Sequence, residues 1–247
     1  MAITAKAALV TGANKGIGHE IARQLAGLGF TVFAAARDPE RGEASAARLR
    51  EEGLDVRFVA LDVTKAATIL AAAKVIEEQV GRLDVLINNA GMGILRTPPA
   101  VLTADDVRTV YETNVFGVIA VTQAMLPLLE RSPAGRIVNI SSTLGSLAAA
   151  SDPGRPTASA GYATSIGLAY STSKTALNAV TVSFANQLRA TPIKVNAACP
   201  GHVATDLNGF AGPRTVEQGA REPVRLAMLD ADGPTGGFFD DAGPKPW

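Results

Sequence analysis

The feature that most constrains the fold is a regular alternation between short apolar runs and longer stretches with helical spacing. The apolar runs are nearly continuous and contain many β-branched residues, which is typical of strands buried on both faces of a parallel sheet. They lie at 7–11, 31–36, 56–61, 83–88, 136–141 and 193–198, with a candidate seventh short strand at 236–240. The helical stretches lie at 17–28, 40–52, 66–80, 103–131 and about 168–189. This alternation predicts an α/β fold, a doubly wound parallel sheet of about seven strands with helices on both faces.

Length and composition favour a single domain. A chain of 247 residues, of which 47% are hydrophobic, can bury one core. The sequence shows no internal repeat and no second domain, so we expect one domain over 1–247. The stretch 151–165 interrupts the alternation because it is rich in Pro, Gly, Ser and Ala, and it predicts a loop or lid.

Charge and cysteine content exclude several functions. The formal net charge is zero, which argues against nucleic acid or an anionic membrane as a partner. The single cysteine, Cys199, cannot form an internal disulfide, and the N-terminal sequence lacks a signal-peptide pattern. No apolar run reaches the length of a membrane span, so we expect a soluble, cytoplasmic protein. His19 and His202 have no companions at metal-ligand spacing, and no metal is predicted.

The turn after the first predicted strand contains three glycines. It reads TGANKGIG, a G-x-x-x-G-x-G spacing that differs from G-x-G-x-x-G and is not followed by the lysine of a triphosphate loop. Glycine suits a tight turn where backbone approaches a pyrophosphate at a helix N-terminus. The position favours a dinucleotide and a Rossmann-type fold, and the alternative is an ordinary turn containing glycine. The candidate cofactor-binding residues here are Gly12, Asn14, Lys15, Gly16, Ile17 and Gly18.

The end of the second predicted strand indicates which dinucleotide is bound. An NAD enzyme places an acidic residue there for the ribose 2′-hydroxyl, whereas a 2′-phosphate requires cations. Ala36 stands where the acid is expected, and Arg37 follows it. Arg37, Arg41 and Lys15 could converge on a phosphate, although Asp38 complicates the choice and the three cations could equally be solvated surface charge. We predict NADPH/NADP+ as the cofactor.

Two further strand ends carry candidate cofactor contacts. Asp62 could accept from the adenine amino group with Val63 beside the ring, or it could cap a helix. The tetrapeptide NNAG at 88–91 combines amide side chains with small residues, which suits a ligand passing close to backbone. Asn89, Ala90 and Gly91 are therefore also candidates.

The residues for proton transfer are expected at Tyr170 and Lys174. They are four positions apart on a predicted helix, so both side chains project from one face. A free tyrosine has a pKa of ~10, and a neighbouring ammonium favours its ionised form. Tyr162, by contrast, has Ile166 four residues on and lacks such a partner. Serine follows the fifth predicted strand at Ser142, where its hydroxyl could hold a carbonyl oxygen.

These motifs together resemble the short-chain dehydrogenase/reductase family over essentially the whole chain. The matching residues are TGANKGIG, Asp62, NNAG, Asn114 in ETNVFG, GRIVNISS, YSTSK and CPGHVAT. The resemblance implies that Ser142 orients the carbonyl, Tyr170 is the acid/base and Lys174 binds the nicotinamide ribose. It implies that Asn114 positions a water in the proton relay. The residues it implies around the nicotinamide are Pro200, Gly201, Val203 and Thr205.

More narrowly, the chain resembles the NADPH-dependent carbonyl reductase branch. The segments that carry this likeness are NKGIG, ARDPERG, the tail from 212 to 239 and the terminal Trp247. The branch implies a monomer rather than a dimer, because an insertion before the catalytic tyrosine, here about 143–165, covers a helix face that relatives use for dimerisation. It also implies a small-molecule carbonyl substrate, reduced to an alcohol.

The substrate is expected to be hydrophobic or aromatic because apolar residues follow the predicted strands. The candidates for the pocket wall are Met92, Ile94, Leu95, Leu144, Leu147 and Phe210. Two alternatives to carbonyl reduction remain open at the level of sequence. One is oxidation of a secondary alcohol or hydroxysteroid by the same site, and the other is a non-catalytic NADP(H)-sensing regulator.

Overall fold

The protein is described by a computed structural model that covers residues 6–95, 97–152 and 167–247. Within these residues the strands are β1 (Ala7–Thr11), β2 (Thr31–Ala36), β3 (Val56–Ala60), β4 (Val85–Asn88), β5 (Arg136–Ile140), β6 (Lys194–Ala198), β7 (Phe238–Asp240) and β8 (Gly243–Pro244). They form one sheet in the order β3-β2-β1-β4-β5-β6-β7-β8. All neighbouring pairs are parallel except β7 with β8, which is antiparallel. The predicted seven parallel strands are confirmed, and a short eighth strand adds an antiparallel edge.

Strand β1 lies at the centre of the sheet, with β2 on one side and β4 on the other. Leu9 is in register with Phe33 of β2 and with Leu86 of β4, and all five residues of β1 are buried. The continuous apolar character of β1 follows from burial on both faces. Because the chain order reverses between β1 and β4, the carboxyl ends of these strands form the switch point where ligands bind in such sheets.

Helices cover both faces of the sheet. They are α1 (Gly16–Gly27), α2 (Pro39–Glu51), α3 (Ala66–Val80), α4 (Ala104–Tyr111), α5 (Gly117–Leu129), α6 (Leu147–Ala150), α7 (Leu168–Gln187) and α8 (Val216–Ala227), with a π-helical turn over Glu112–Phe116. One hydrophobic cluster joins the sheet to α1, α2 and α8. A second cluster joins the opposite face to α3, α5 and the end of α7. This arrangement confirms the doubly wound, single-domain prediction.

Two helical features differ from the sequence prediction. The stretch predicted as one helix at 103–131 is two α-helices separated by the π-helical turn. Helix α8 was not predicted, because Gly219 and Pro223 lie within it and five of its twelve residues have charged or amide side chains. Its capping box, formed by Thr215 and Gln218, is the local signal that could have marked its start.

The continuous helical stretch Ala104–Leu129 also bears on the membrane prediction. Its length and its mean hydropathy of 1.3 are sufficient for a membrane span, contrary to the expectation that no run would qualify. Half of the apolar window is buried inside the protein, as in the core helix of a globular domain. The stretch is therefore weak evidence for a span.

Candidate active site

The glycine-rich loop after β1 is held against the loop after β4 by main-chain and side-chain hydrogen bonds. The Thr11 hydroxyl accepts from the backbone N–H groups of Asn89 and Ala90, at 2.9 and 3.0 Å. The Asn89 amide donates to the carbonyl oxygens of Thr11 and Gly12, at 2.9 and 3.2 Å. The two loops at the switch point are therefore one rigid unit. Thr11 was not among the predicted site residues, since a threonine ending a strand carries no distinctive sequence signal.

Glycine is required in this loop for steric reasons. Gly12 has φ of 65°, and a Cβ atom there would lie 2.9 Å from Cα of Ala90. A Cβ at Gly18 would lie 2.3 Å from the Asn89 amide nitrogen and 2.5 Å from the Gly12 oxygen. Neither position can hold a side chain without moving the backbone. The sequence predicts glycines here for an approach to a pyrophosphate; the close approach that the structure shows at Gly12 and Gly18 is to the loop after β4.

The N-terminus of α1 is suited to bind an anion. Lys15 is its N-cap residue, and among the described residues no side chain caps the helix and no acidic residue lies in its first turn. The N–H groups of the first turn and the helix dipole therefore favour a negative group at this end. Asn14 is partly buried beside this terminus, and Ile17 packs against the sheet.

The end of β2 presents cations and a buried alanine. Ala36 is buried, whereas Arg37 and Arg41 are exposed. The carboxylate of Asp38, which complicated the cofactor choice, accepts from the Arg41 N–H at 3.1 Å and caps α2. It also lies 3.5 Å from the Arg41 guanidinium. Asp38 thus caps α2 and pairs with Arg41.

The third cation, Lys15, has an acidic neighbour. Its ammonium lies 3.3 Å from a carboxylate oxygen of Asp206, and both side chains are more than half exposed. Asp206 follows Thr205, whose methyl carbon is 3.6 Å from the Cβ position of Gly16. The loop after β6 therefore lies beside the glycine-rich loop after β1.

Asp62 and Val63 follow β3, next to α5. The Asp62 carboxylate accepts from the N–H and hydroxyl of Thr64, at 3.0 and 2.7 Å. Burial tends to raise the pKa of Asp62, but these bonds, together with Lys65 and Arg37, outweigh it and the pKa is lowered. The Val63 side chain packs on Gly117, where a Cβ would approach it to 2.8 Å. The lowered pKa keeps the Asp62 carboxylate charged, next to the Val63 side chain.

Lys174 is a buried cation at the carboxyl end of β5. The residue is 5% exposed, and its ammonium donates to the Ile140 carbonyl oxygen at 2.7 Å. Burial lowers the pKa of Lys174 from 10.5 to about 8. Helix α7 supplies Lys174, and Gly145 allows the preceding loop to pack directly on that helix, since a Cβ there would lie 2.6 Å from the Lys174 carbonyl carbon.

Tyr170 lies one turn before Lys174 on α7. The Lys174 ammonium is 5.5 Å from the centroid of the Tyr170 ring. The Tyr170 ring also packs against the loop after β4, where a Cβ at Gly93 would lie 2.9 Å from Cδ2 of Tyr170. The predicted pairing of the two side chains on one helix face is present. The sequence did not predict that position 93 must be glycine, because the residue that leaves no space for a side chain there, Tyr170, is distant in sequence.

Asn114 lies in the π-helical turn and is bonded to the backbone after β4. Its side-chain oxygen accepts from the Met92 N–H at 2.9 Å, and its amide donates to the Met92 oxygen, also at 2.9 Å. The amide also donates to the Ser173 hydroxyl at 3.0 Å. Asn114 therefore fixes the loop that packs on Tyr170 and links it to α7. The π-helical turn changes the direction in which the Asn114 side chain projects from the helix.

The two serines after β5 have different environments. Ser141 is buried, and its hydroxyl donates to the Asn178 side-chain oxygen at 2.5 Å. Ser142 is partly exposed, and its hydroxyl oxygen accepts from the Leu144 N–H at 3.2 Å. Since that oxygen acts as an acceptor, the hydroxyl hydrogen can be directed at another group. Ser142, rather than Ser141, therefore has the geometry of a substrate contact.

A network of buried amides and hydroxyls supports β4 and β5 beneath the site. The Asn88 amide donates to the Thr122 hydroxyl and to the Asn139 side-chain oxygen, at 3.1 and 2.9 Å. The Asn139 amide donates to the Thr181 hydroxyl at 2.9 Å. Asn88 thus joins the strands to α5 and α7, and it shapes the site by fixing these elements.

The loop after β6 contains the candidates for nicotinamide contact. Pro200 and Val203 are buried, and Gly201 has φ of 76°. The Arg214 side chain lies on Gly201, where a Cβ would approach Cδ of Arg214 to 2.7 Å. Val203 packs on Gly219 of α8, so the unpredicted helix supports this loop.

The candidate pocket residues differ in exposure. Leu147 is 64% exposed and Phe210 is 65% exposed, and Phe210 has a φ of 61°, in the left-handed region. Met92, Ile94, Leu95 and Leu144 are partly buried. The predicted lid at 151–165 lies, apart from Ser151 and Asp152, outside the described residues, as do Tyr162 and Ile166.

Comparison with known proteins identifies the family. The short chain dehydrogenase family profile matches residues 6–154 and 156–214. The chain belongs to the short-chain dehydrogenase family. Because that family consists of oxidoreductases, this member is an oxidoreductase, as the sequence predicted.

Relatives and solved structures match over nearly the whole chain. Short-chain dehydrogenase/reductase 1 of Saponaria officinalis is 36% identical, with 94% of this chain and 93% of that protein covered. NADPH carbonyl reductase 1 of Mus musculus is 34% identical, with 97% and 98% covered. The structure of NADPH-bound carbonyl reductase from chicken fatty liver has a TM-score of 0.84 and 32% identity, with 99% of this chain and 100% of that chain covered.

Proposed function

We propose that this member of the family reduces a ketone or aldehyde to an alcohol with NADPH. The observation that carries the proposal is the convergence of three side chains at the carboxyl ends of β4 and β5. Lys174 is anchored to the end of β5, Tyr170 lies beside its ammonium, and Asn114 fixes the loop that packs on the tyrosine. These groups can hold a carbonyl and deliver a proton, but they cannot supply electrons, so reduction needs a cofactor.

The residues of the switch point fit NADP(H). The glycine-rich loop after β1 leads directly into α1, and the uncapped N-terminus of α1 would bind the charge of a pyrophosphate. Arg37, Arg41 and Lys15 would hold the 2′-phosphate, and Asp62 with Val63 would hold the adenine. The relatives named for NADPH support this cofactor. When bound, NADPH supplies the hydride.

Tyr170 is the proposed proton donor. Its hydroxyl gives a proton to the substrate oxygen as the carbonyl carbon becomes an alcohol carbon. The Lys174 ammonium beside the ring stabilises the negative charge left on the tyrosine. Lys174 would also bind the nicotinamide ribose, because its buried ammonium donates to the Ile140 carbonyl oxygen and can donate to further acceptors.

Ser142 and Asn114 have positioning roles in this proposal. Ser142 donates to the substrate oxygen and holds it near Tyr170. Asn114 fixes Met92 and the adjoining loop through two hydrogen bonds, and by resemblance to the family it positions a water that returns the proton. Pro200, Gly201, Val203 and Thr205 would line the nicotinamide, supported by Gly219 of α8.

A hydrophobic or aromatic carbonyl compound is the proposed substrate class. Leu147 and Phe210 present large apolar side chains to solvent on the loops after β5 and β6, where a substrate would enter. The reverse reaction, oxidation of a secondary alcohol, uses the same groups, and its extent depends on the ratio of the two cofactor forms. We further propose that the protein is cytoplasmic and monomeric. Light scattering on the purified protein would test the oligomeric state.

The proposal is tested with a panel of ketones, aldehydes and quinones, followed by NADPH absorbance. We expect turnover with NADPH, weaker turnover with NADH, and a loss of about 100-fold or more in Tyr170→Phe. Fluorescence titration should show that the variant binds NADPH as tightly as the wild type. Near-normal turnover in Tyr170→Phe would refute the mechanism. Tight NADPH binding without turnover of any carbonyl would instead support a cofactor-sensing regulator.

A further inference from the structure

The C-terminal segment folds back on the edge of the sheet as a short hairpin. Strands β7 and β8 pair antiparallel, and the Lys245 N–H donates to the Phe238 oxygen at 2.7 Å. The Lys245 ammonium also pairs with the Asp240 carboxylate at 2.8 Å. This geometry brings Trp247 back to Phe238, whose ring is buried in the sheet edge. The hairpin of residues 238–247 lies beyond the family match, which ends at 214.

One end of this hairpin contacts the loop that follows the catalytic serine. The Trp247 ring stacks on Phe238, with centroids 5.6 Å apart and planes inclined by 17°. The main-chain oxygen of Trp247 accepts from the Ala148 N–H at 2.9 Å and from the Ser146 hydroxyl at 3.2 Å. Ser146 is itself buried and accepts from the Ala149 N–H as the cap of α6. Trp247 therefore links the sheet edge to the first turn of α6.

The segment held by Trp247 borders the catalytic groups directly. It begins at Ser142 and passes through Gly145, whose oxygen accepts from the Thr175 hydroxyl and the Asn178 amide of α7, at 3.0 and 3.2 Å. Leu147, one of the exposed apolar residues at the proposed entrance, lies between the two residues that bond Trp247. A displacement of this turn would move Leu147 and alter the shape of the entrance.

The other end of the hairpin contacts the loop after β6. Asp241, in the turn between β7 and β8, pairs with the Arg214 guanidinium. Arg214 lies on Gly201, and its backbone bonds the loop on both sides, donating to the His202 oxygen and accepting from the Ala204 N–H. The same hairpin thus reaches both loops that flank the proposed carbonyl site.

We propose that the C-terminal hairpin braces these two loops, and that Trp247 is a positioning residue for the segment 142–150 and thereby a determinant of substrate specificity. The indole stack fixes the tail on the sheet, and the main-chain oxygen of Trp247 fixes Ala148 and Ser146. The contacts of Trp247 among the described residues are with Phe238, Ser146 and Ala148, so we expect its substitution to affect the substrate rather than the dinucleotide. The kinetic part of this proposal rests on the proposed function.

The test combines hydrogen exchange with kinetics on the full chain. Trp247→Ala removes the indole anchor, Trp247→Phe retains an aromatic ring for the stack, and Leu70→Ala removes an exposed apolar side chain from α3 as a control. In Trp247→Ala we expect amides within 143–150 to exchange about tenfold faster, while those of 12–18 remain unchanged. We expect Trp247→Phe to restore most of the protection, and Leu70→Ala to match the wild type.

The kinetic arm uses one small and one bulky carbonyl substrate. We expect Trp247→Ala to raise KM about fivefold for the bulky substrate and less for the small one, with the NADPH Kd unchanged. Unchanged exchange at 143–150 would overturn the brace. Faster exchange with unchanged KM for both substrates would overturn the specificity role. If the wild type turned over no carbonyl, the proposed function would fail, and the exchange data would still decide whether Trp247 holds the loop.

Discussion

Replacing the buried lysine of the site should stabilise the protein while abolishing its activity. Lys174 is 5% exposed, and burial lowers its pKa from 10.5 to about 8. At about 1.4 kcal/mol for each tenfold change in proton affinity, keeping this ammonium charged at pH 7 costs about 3 kcal/mol of folding free energy. Lys174→Met keeps the length of the side chain and removes the charge. It also leaves the Ile140 oxygen without this donor, at a cost of about 1 kcal/mol.

The expected net result is a gain of about 2 kcal/mol in the free energy of unfolding at pH 7, or a Tm about 4–8 °C higher. The measurement is urea unfolding and calorimetry of the cofactor-free protein. Turnover should fall by about 100-fold or more in the same variant, as expected where activity requires a destabilising group. Asn178, a buried polar neighbour on the same helix, offers a contrast, because Asn178→Ala removes a satisfied hydrogen-bonding group and should destabilise.

The pH dependence of the free energy of unfolding tests independently whether Lys174 destabilises the fold. Between pH 8 and 10.5 the folded wild type binds fewer protons at Lys174 than the unfolded chain does, so this residue makes stability rise with pH in that window. Below pH 8 Lys174 is charged in both the folded and the unfolded state, so its destabilising contribution is at its maximum and does not change with pH. The advantage of Lys174→Met should therefore be largest below pH 8 and disappear toward pH 10.5. A variant that is less stable than the wild type at pH 7, or an advantage independent of pH, would refute the reasoning.

Two further predictions concern the cofactor loops. Gly18→Ala places Cβ 2.3 Å from the Asn89 amide nitrogen, so we expect the free energy of unfolding to fall by about 1–3 kcal/mol. Fluorescence titration should show at least tenfold weaker NADPH binding. In the control Gly27→Ala the new Cβ meets nothing within 4 Å, and neither quantity should change. An equal effect of the two substitutions would contradict the steric account. Arg37→Ala should raise the KM for NADPH about tenfold and leave that for NADH unchanged in steady-state assays, since a charged hydrogen bond to the 2′-phosphate is lost. An equal rise for both cofactors would assign Arg37 another role.

The sheet and helix α7 could be predicted because their signals are local. Apolar runs locate each of the seven parallel strands within two residues, and the spacing of Tyr170 and Lys174 places both on one face of α7. The turn with Gly12, Gly16 and Gly18 was predicted for the same reason, since a turn between a strand and a helix is a local event, whereas the crowding at Gly18 comes from the distant Asn89.

The remaining features depend on contacts between distant segments. Gly93 must be small because Tyr170 packs against it, and Thr11 is important because the loop after β4 bonds to its hydroxyl. Helix α8 contains Gly219 and Pro223, so its helicity is stabilised by packing on α1 and the sheet more than by propensity. The hydrogen bond between Ser146 and Trp247 joins residues that are 101 positions apart, and no local sequence pattern predicts it.

Transfer of the label from NADPH deuterated at the nicotinamide C4 position tests the central claim most directly. The product alcohol is isolated after turnover of a ketone and examined by mass spectrometry and NMR. The account predicts one deuterium on the carbinol carbon with one stereoisomer of the labelled cofactor and none with the other, and Tyr170→Phe should form this product at a rate at least about 100-fold lower. A product alcohol that carries no deuterium with either stereoisomer, or undiminished transfer in Tyr170→Phe, would contradict it.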